Sequence, residues 1–340
     1  MASTNLTLLS RFRLFTIVLA FLLSAYFYNI GILHHLGFSS DNKVSEMPSL
    51  AVASARHSGV NLAGKVAVVV GGTSGIGAGI ALRLAQADAS VVLVGRSRER
   101  AEQVMMRMRA MSKTATHTFV SCDASLVGSV VQFSREFAQS HTSLDYLVLT
   151  QGIATFQGRT ETVEGLDVKM SLHYYSRVAF MRALAPLLDR APDPRVLTVL
   201  SAGVHSPFVG YASDPDLKTT YSLTNAANAA GFYNDIAVES MALEHPHISF
   251  THAAPGIVKT NWGRELPTVV RGIVRVLQLF FRSLEDCGEY MSSALIDEDY
   301  KGGWHLMGAE GQHVRTTPLQ EQARESVWAH TQSILDRLMK

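Results

Sequence analysis

Short apolar runs alternate with charged, amphipathic stretches along most of the chain. Lys65–Val70, Ser90–Val94, Thr116–Ser121, Leu144–Leu149, Arg195–Leu200 and Ile248–His252 read as strands. Several of them, such as VAVVV and VVLV, are apolar at consecutive positions, as a parallel strand covered on both faces requires. Between them, Ala78–Ala87 carries Ile80, Leu82 and Leu84 at roughly helical spacing, and Arg98–Met111 reads as a charged, methionine-bearing helix. Leu284–Ile296 predicts a core helix, Gly302–Met307 a final edge strand and Gln320–Met339 one more helix. The alternation predicts an α/β protein, a single Rossmann-type doubly wound parallel sheet with helices on both faces.

The N-terminus has a different pattern. Leu14–Leu33 runs for about twenty residues without a charge, long enough for a helix to span a bilayer core. It is longer than a signal-peptide core and no Ala-x-Ala site follows it, so an uncleaved transmembrane helix is expected. Arg11 and Arg13 before it, against Lys43 after it, lean toward a cytoplasmic N-terminus by a small margin. The chain thus divides into a membrane anchor (1–38), a polar linker without clear periodicity (39–60), a nucleotide-binding domain (61–311) and a C-terminal helical tail (312–340). A single-pass membrane location follows, the endoplasmic reticulum if the cell is eukaryotic.

Composition narrows the function. A net charge of +1 with scattered basic residues gives no reason to expect nucleic acid. Two cysteines, Cys122 and Cys287, cannot build a disulfide framework, and none of the 13 histidines has metal-ligand company, so no metal is expected.

Gly71-Gly72-Thr73-Ser74-Gly75-Ile76-Gly77 lies between a predicted strand and a predicted helix. In that context glycines allow a tight turn, and backbone N–H groups at a helix N-terminus can approach a pyrophosphate. A dinucleotide is therefore expected there. At the end of the second strand, a reader of a ribose 2′-hydroxyl would be Asp or Glu; this chain has Gly95-Arg96-Ser97-Arg98. The planar donors of Arg96 suit a 2′-phosphate, which favours NADP(H) over NAD(H).

These residues resemble the short-chain dehydrogenase/reductase family over almost all of 61–311. The glycine turn matches at Gly71, Gly75 and Gly77, with Val70 where the family has threonine. Asp123 matches the family's adenine-contacting aspartate, and Thr150-Gln151-Gly152 matches its Asn-Ala-Gly element in part. Pro255-Gly256-Ile257-Val258-Lys259-Thr260 matches its Pro-Gly motif, where Pro255, Gly256, Val258 and Thr260 would close around the nicotinamide end. The flavour is similar to membrane-anchored reductases of hydrophobic substrates.

The resemblance also implies a chemistry: hydride transfer between nicotinamide and a carbonyl or alcohol carbon, with a tyrosine exchanging the proton. Ser201 matches the serine that orients the substrate oxygen, and Tyr221, expected to begin a helical stretch, matches the tyrosine. Two positions depart. Asn225 stands where the family has a lysine, and His173 where it has a helical asparagine whose backbone carbonyl serves a proton relay. An unperturbed tyrosine keeps its proton to about pH 10, so a missing ammonium hinders alcohol oxidation far more than carbonyl reduction. A reductase is therefore expected, with Asn225 donating to the ribose and His173 offering a replacement proton path or serving in packing.

Leu266–Ser283 is apolar with Arg271, Arg275 and Arg282 interspersed, in the stretch that covers the substrate in this family. It predicts a hydrophobic small-molecule substrate; resting on the membrane surface or packing on the domain are its other readings. The resemblance implies a homo-oligomer without fixing its size. The alternative to an enzyme is a catalytically weak or inactive nucleotide-binding scaffold or sensor of the same fold.

Overall fold

The apolar runs form seven parallel strands: β1 Val66–Val70, β2 Ser90–Gly95, β3 His117–Ser121, β4 Tyr146–Leu149, β5 Arg195–Val199, β6 Ser249–Ala253 and β7 Trp304–Met307. The computed structural model describes residues 49–155, 157–259 and 281–340. The strands make one sheet in the order β3-β2-β1-β4-β5-β6-β7. Val70 pairs with Val94 on one side and with Leu149 on the other, which fixes the register where the order reverses. Such a reversal opens a crevice at the carboxyl ends of the strands, where open α/β sheets bind ligands.

Successive strand residues point to opposite faces, and both faces are buried. Val68, Val70, Val92, Val94, Leu147 and Leu149 pack in one core, while Ala67, Val69, Val91, Leu93, Tyr146 and Val148 pack in the other. This is the physical reason for the unbroken apolar runs. The first core is completed by helices α4 (Val127–Ser140), α5 (Ser176–Leu188), α6 (Leu223–Glu244) and α8 (Pro318–Leu338). The second is completed by α1 (Leu50–His57), α2 (Gly75–Gln86), α3 (Arg98–Met111) and α7 (Leu284–Ile296).

Two expectations change here. Residues 50–57, expected within a linker, form α1, capped by Ser49 and docked on the domain. Its polar surface hid a tertiary lock. His57, with its side chain buried, bonds Glu289 at 2.7 Å and Asp297 at 3.0 Å, and Arg83 donates to the His57 carbonyl at 2.9 Å. The expected tail at 312–340 is likewise tied into the domain: α8 buries Ala323, Val327, Trp328, Thr331 and Leu335. Among the described residues no helix is long and apolar enough to cross a membrane; the run Leu14–Leu33 lies outside them.

Candidate active site

The turn after β1 is built by steric necessity. Gly71 has φ +79°, in the left-handed region that favours glycine. A Cβ on Gly77 would stand 2.4 Å from Thr150 Oγ1, so only glycine lets α2 close on the end of β4. Ser74 caps α2 without a side-chain hydrogen bond, and the amides of Gly75, Ile76 and Gly77, in the first turn, have no carbonyl partner within the helix. Thr73 is buried beside Gly95. These residues fit a pyrophosphate. Arg96 follows β2 directly and is exposed, and Asp123 is oriented by the N–H of Ser125 at 3.0 Å and its hydroxyl at 2.8 Å.

Beside this turn, the end of β4 meets a π-helical turn, Ser171–Tyr175, that leads into α5. Here His173 Nε2 accepts the backbone N–H of Ile153 at 3.0 Å and lies where a Cβ on Gly152 would reach it. The side chain is therefore a neutral acceptor with its proton on Nδ1. Burial, helped by the charges of Arg177 and Lys169, pushes its pKa down to about 3. The His173 carbonyl, at the position whose carbonyl the resemblance implies for a proton relay, accepts from Asn234 Nδ2 at 2.7 Å.

At the end of β5, Ser201 Oγ is buried with no hydrogen-bond partner among the described residues. The same holds for Tyr221 Oη. Tyr221 does not open a helix as expected: Ser222 caps α6, which starts at Leu223, so the tyrosine sits just outside it. The reason is Asp214, which accepts the backbone N–H groups of Lys218, Thr219 and Thr220, each at 2.8 Å, and pins the approach as a loop. Those bonds hold the Asp214 carboxyl well below the usual carboxylate range against the cost of its burial. Asn225 Nδ2 donates to the Thr220 carbonyl at 2.7 Å, bracing the same corner. Buried Lys169 places its ammonium 5.3 Å from the centroid of the Tyr221 ring, held by the Gly158 carbonyl at 2.9 Å and by Asp167 at 3.6 Å.

After β6, Pro255, Gly256 and Val258 form the next loop, with Gly256 at φ +69°. Lys259 N donates to the Arg282 carbonyl at 2.9 Å, and the Arg282 guanidinium stacks on Tyr290 at 4.5 Å. Thr260 and nearly all of the expected lid lie outside the described residues.

Sequence reading missed a second group of residues. Arg177, fully buried, donates to Thr198 Oγ1 at 2.7 Å, the Val199 carbonyl at 2.9 Å and the Gln151 carbonyl at 2.6 Å, joining the ends of β4 and β5. Desolvation lowers its pKa to about 9. Asp235, His205 and His252 gather behind Ser201. Nothing local marks them; only an acidic residue deep in an apolar helix, Asp235 after Asn234, was a signal.

Over residues 65–269 the chain matches the short chain dehydrogenase family. An oxidoreductase of Emericella nidulans is 30% identical over 331 residues, covering 86% of this chain and 99% of that protein. Dehydrogenase/reductase SDR family member 13 of Homo sapiens is 31% identical over 228 residues, covering 64% of this chain and 58% of that protein. Among solved structures, a Burkholderia cenocepacia short chain dehydrogenase in complex with NADP aligns with a TM-score of 0.54 at 20% identity, over 73% of this chain and 98% of that one. The Pseudomonas aeruginosa RhlG/NADP complex gives 0.55 at 20% identity, over 74% and 97%. At that identity the likeness is one of fold.

Proposed function

The chain belongs to the short-chain dehydrogenase/reductase family, and from that premise we propose that this oxidoreductase is an NADP(H)-dependent carbonyl reductase. Its substrate is a hydrophobic small molecule of lipid, steroid, retinoid or secondary-metabolite type. The reading is carried by the two buried hydroxyls, Ser201 Oγ and Tyr221 Oη, that lack partners among the described residues. A buried, unbonded hydroxyl costs about 1–3 kcal/mol, and a bound substrate oxygen accepting from such a hydroxyl would remove that cost.

Gly71, Thr73, Ser74, Gly75, Ile76 and Gly77 would hold the pyrophosphate, Arg96 the 2′-phosphate and Asp123 the adenine. Gly152, Pro255, Gly256, Val258 and Thr260 would enclose the nicotinamide end. When bound, the cofactor supplies the hydride that reduces the carbonyl carbon. Ser201 donates a hydrogen bond to the carbonyl oxygen and orients it, while Tyr221 passes its phenolic proton to that oxygen. The ammonium missing at Asn225 has a counterpart in Lys169 over the ring face, a favourable cation–π contact. The second Nδ2 hydrogen of Asn225 is left for a ribose hydroxyl.

The rival, a nucleotide-binding scaffold or sensor without turnover, is favoured by one observation: Asn225 is engaged with Thr220. An assay of the full chain with NADPH and a panel of lipophilic ketones and aldehydes separates the two. The reductase consumes NADPH with at least one carbonyl, and Tyr221→Phe lowers the rate about 10²–10⁴-fold. Cofactor binding without consumption across the panel supports the scaffold. Asn225→Lys is expected to speed alcohol oxidation much more than reduction; equal effects would overturn the assigned direction.

The apolar run Leu14–Leu33 supports a single-pass anchor, in the endoplasmic reticulum of a eukaryotic cell, beside a bilayer in which such substrates dissolve. The full chain is expected to sediment with membranes and to resist carbonate extraction; release by carbonate would remove the anchor from the proposal.

A further inference from the structure

Ser201 is gripped on both sides by histidines that the reaction above does not use. Its backbone N–H donates to His252 Nε2 at 3.1 Å, and its carbonyl accepts from His205 Nδ1 at 2.8 Å. The second nitrogen of each ring turns to one carboxylate. His252 Nδ1 bonds Asp235 Oδ1, and His205 Nε2 lies 3.3 Å from Asp235 Oδ2. Gln320, in the first turn of α8, also donates to Oδ2.

Counting hydrogens fixes the charges. A carbonyl oxygen can only accept, so His205 carries a proton on Nδ1. His252 accepts the Ser201 N–H at Nε2, so it is neutral with its proton on Nδ1. Asp235 therefore receives donors from His252 and Gln320, as an ionised carboxylate does. Its side chain is only 1% exposed, and a charge so buried needs a matching cation. Among the described residues no lysine or arginine pairs with it, which leaves His205 protonated on both nitrogens.

We propose that His205, Asp235 and His252 are the positioning residues of Ser201, a buried imidazolium–carboxylate–imidazole chain that clamps the serine peptide and so aims its hydroxyl. The proposal rests on the reading of Ser201 as the group that orients the substrate oxygen. Gly231 makes the close approach feasible: a Cβ there would stand 2.4 Å from Ser201 Oγ and 2.5 Å from His205 Nδ1. Gln320 extends the clamp to the last helix, so the serine is set by contacts from β6, α6, its own loop and α8.

The charges respond to pH in a defined direction. Burial opposes the charge on His205, but the hydrogen bond and charge of Asp235 and the bond to the Ser201 carbonyl outweigh it, so its pKa lies above the ordinary histidine value. For His252 burial prevails over the pull of Asp235 and the pKa is lowered. The Asp235 carboxyl stays below its usual range because His252 and His205 outweigh burial. The charged or titratable groups around the ring are Asp235 of α6 and His252 of β6, with Arg177 of α5 acting on His252; α8 brings only the uncharged Gln320. The clamp is thus complete between the lowered His252 value and the raised His205 value, and it loosens as the pH rises through the latter or falls through the former.

Long-range proton–nitrogen spectra of the histidine rings in the full chain, solubilised in detergent, test the charges without reference to turnover. At pH 7, with and without NADPH, His205 is expected to be protonated on both nitrogens and His252 on Nδ1 alone. A neutral His205 at that pH overturns the proposal. A second arm compares pH profiles of carbonyl reduction for the wild type and His205→Asn, whose amide can still donate to Ser201 but carries no charge. The expected result is a loss of kcat of about tenfold or more, an NADPH KM within about twofold of wild type, and disappearance of the high-pH decline. A folded His205→Asn with an unchanged pH profile overturns the proposal. Should that variant not fold, or should the wild type reduce no carbonyl (which sinks the reductase reading), the ring spectra of the wild type decide the clamp alone.

Discussion

Arg96 shows how much one residue can specify. It is the first residue after β2, exposed, and follows Gly95, against which Thr73 of the glycine turn packs. A guanidinium there can make a bidentate, charge-assisted pair with a 2′-phosphate but at most a single weaker hydrogen bond to a 2′-hydroxyl. Arg96→Ala is expected to raise the KM for NADPH about tenfold to a hundredfold while leaving that for NADH nearly unchanged. An equal effect on both cofactors, in steady-state kinetics, would remove Arg96 as the discriminating residue. The choice of Arg96 rests on sequence alone because a strand end and its next residue are adjacent in the chain. The state of His173 was not readable that way. Its neutrality depends on Ile153, Arg177 and Lys169, which the fold brings around it.

At the level of elements, α1 is held by charge more than by apolar area, since it buries only Ala53 and His57. His57 has both ring nitrogens on carboxylates, and Arg83 holds Glu289 at 2.9 Å. Burial disfavours the charged ring, but the hydrogen bonds to Asp297 and Glu289 outweigh it and raise the His57 pKa. For Glu289 and Asp297 burial is outweighed by His57, and both carboxyls are lowered. The contribution of the raised histidine is full below about pH 6.5 and is lost as pH rises through its folded value. That of the lowered carboxyls is full above about pH 4.5 and is lost as pH falls through theirs. Docking of α1 should therefore be firmest between about pH 4.5 and 6.5. Hydrogen exchange, corrected for intrinsic rates, is expected to show its amides opening more readily at pH 8.5 than at pH 6, with β1 and β4 unaffected. Equal protection of α1 at the two values would contradict this. The helix is hidden from the sequence pattern, because just over two turns with two inward residues have almost no periodicity to detect.

For the molecule as a whole, α8 ties the end of the chain to the face of the sheet that α5 and α6 cover. Trp328 packs in the core and donates to Glu244 at 2.7 Å, Arg324 pairs with Glu239, and Tyr174 shares a hydrogen bond with Thr331 at 2.6 Å. Trp328→Ala is expected to cost about 3 kcal/mol or more and to lower Tm by roughly 6–12 °C, measured by calorimetry. A shift of only a degree or two would mean that α8 is an appendage after all. Any homo-oligomer must leave room for α8 on α6.

The sequence by itself determined the sheet and the glycine turn, and it carried the proposal for the cofactor end of the crevice. These follow from patterns a few residues long: apolar runs covered on both faces, glycines required by φ or by close approach, and an arginine next to a strand end. Tertiary structure alone decided the environment of Ser201. Ser201 meets His252 across 51 residues, and Gln320 meets Asp235 across 85. Tertiary structure also placed Tyr221 outside α6, because the carboxylate of Asp214 gathers the N–H groups that would otherwise begin a helix. Local pattern carries burial and turns, whereas the charge of a buried group is set by whichever distant partners the fold delivers to it.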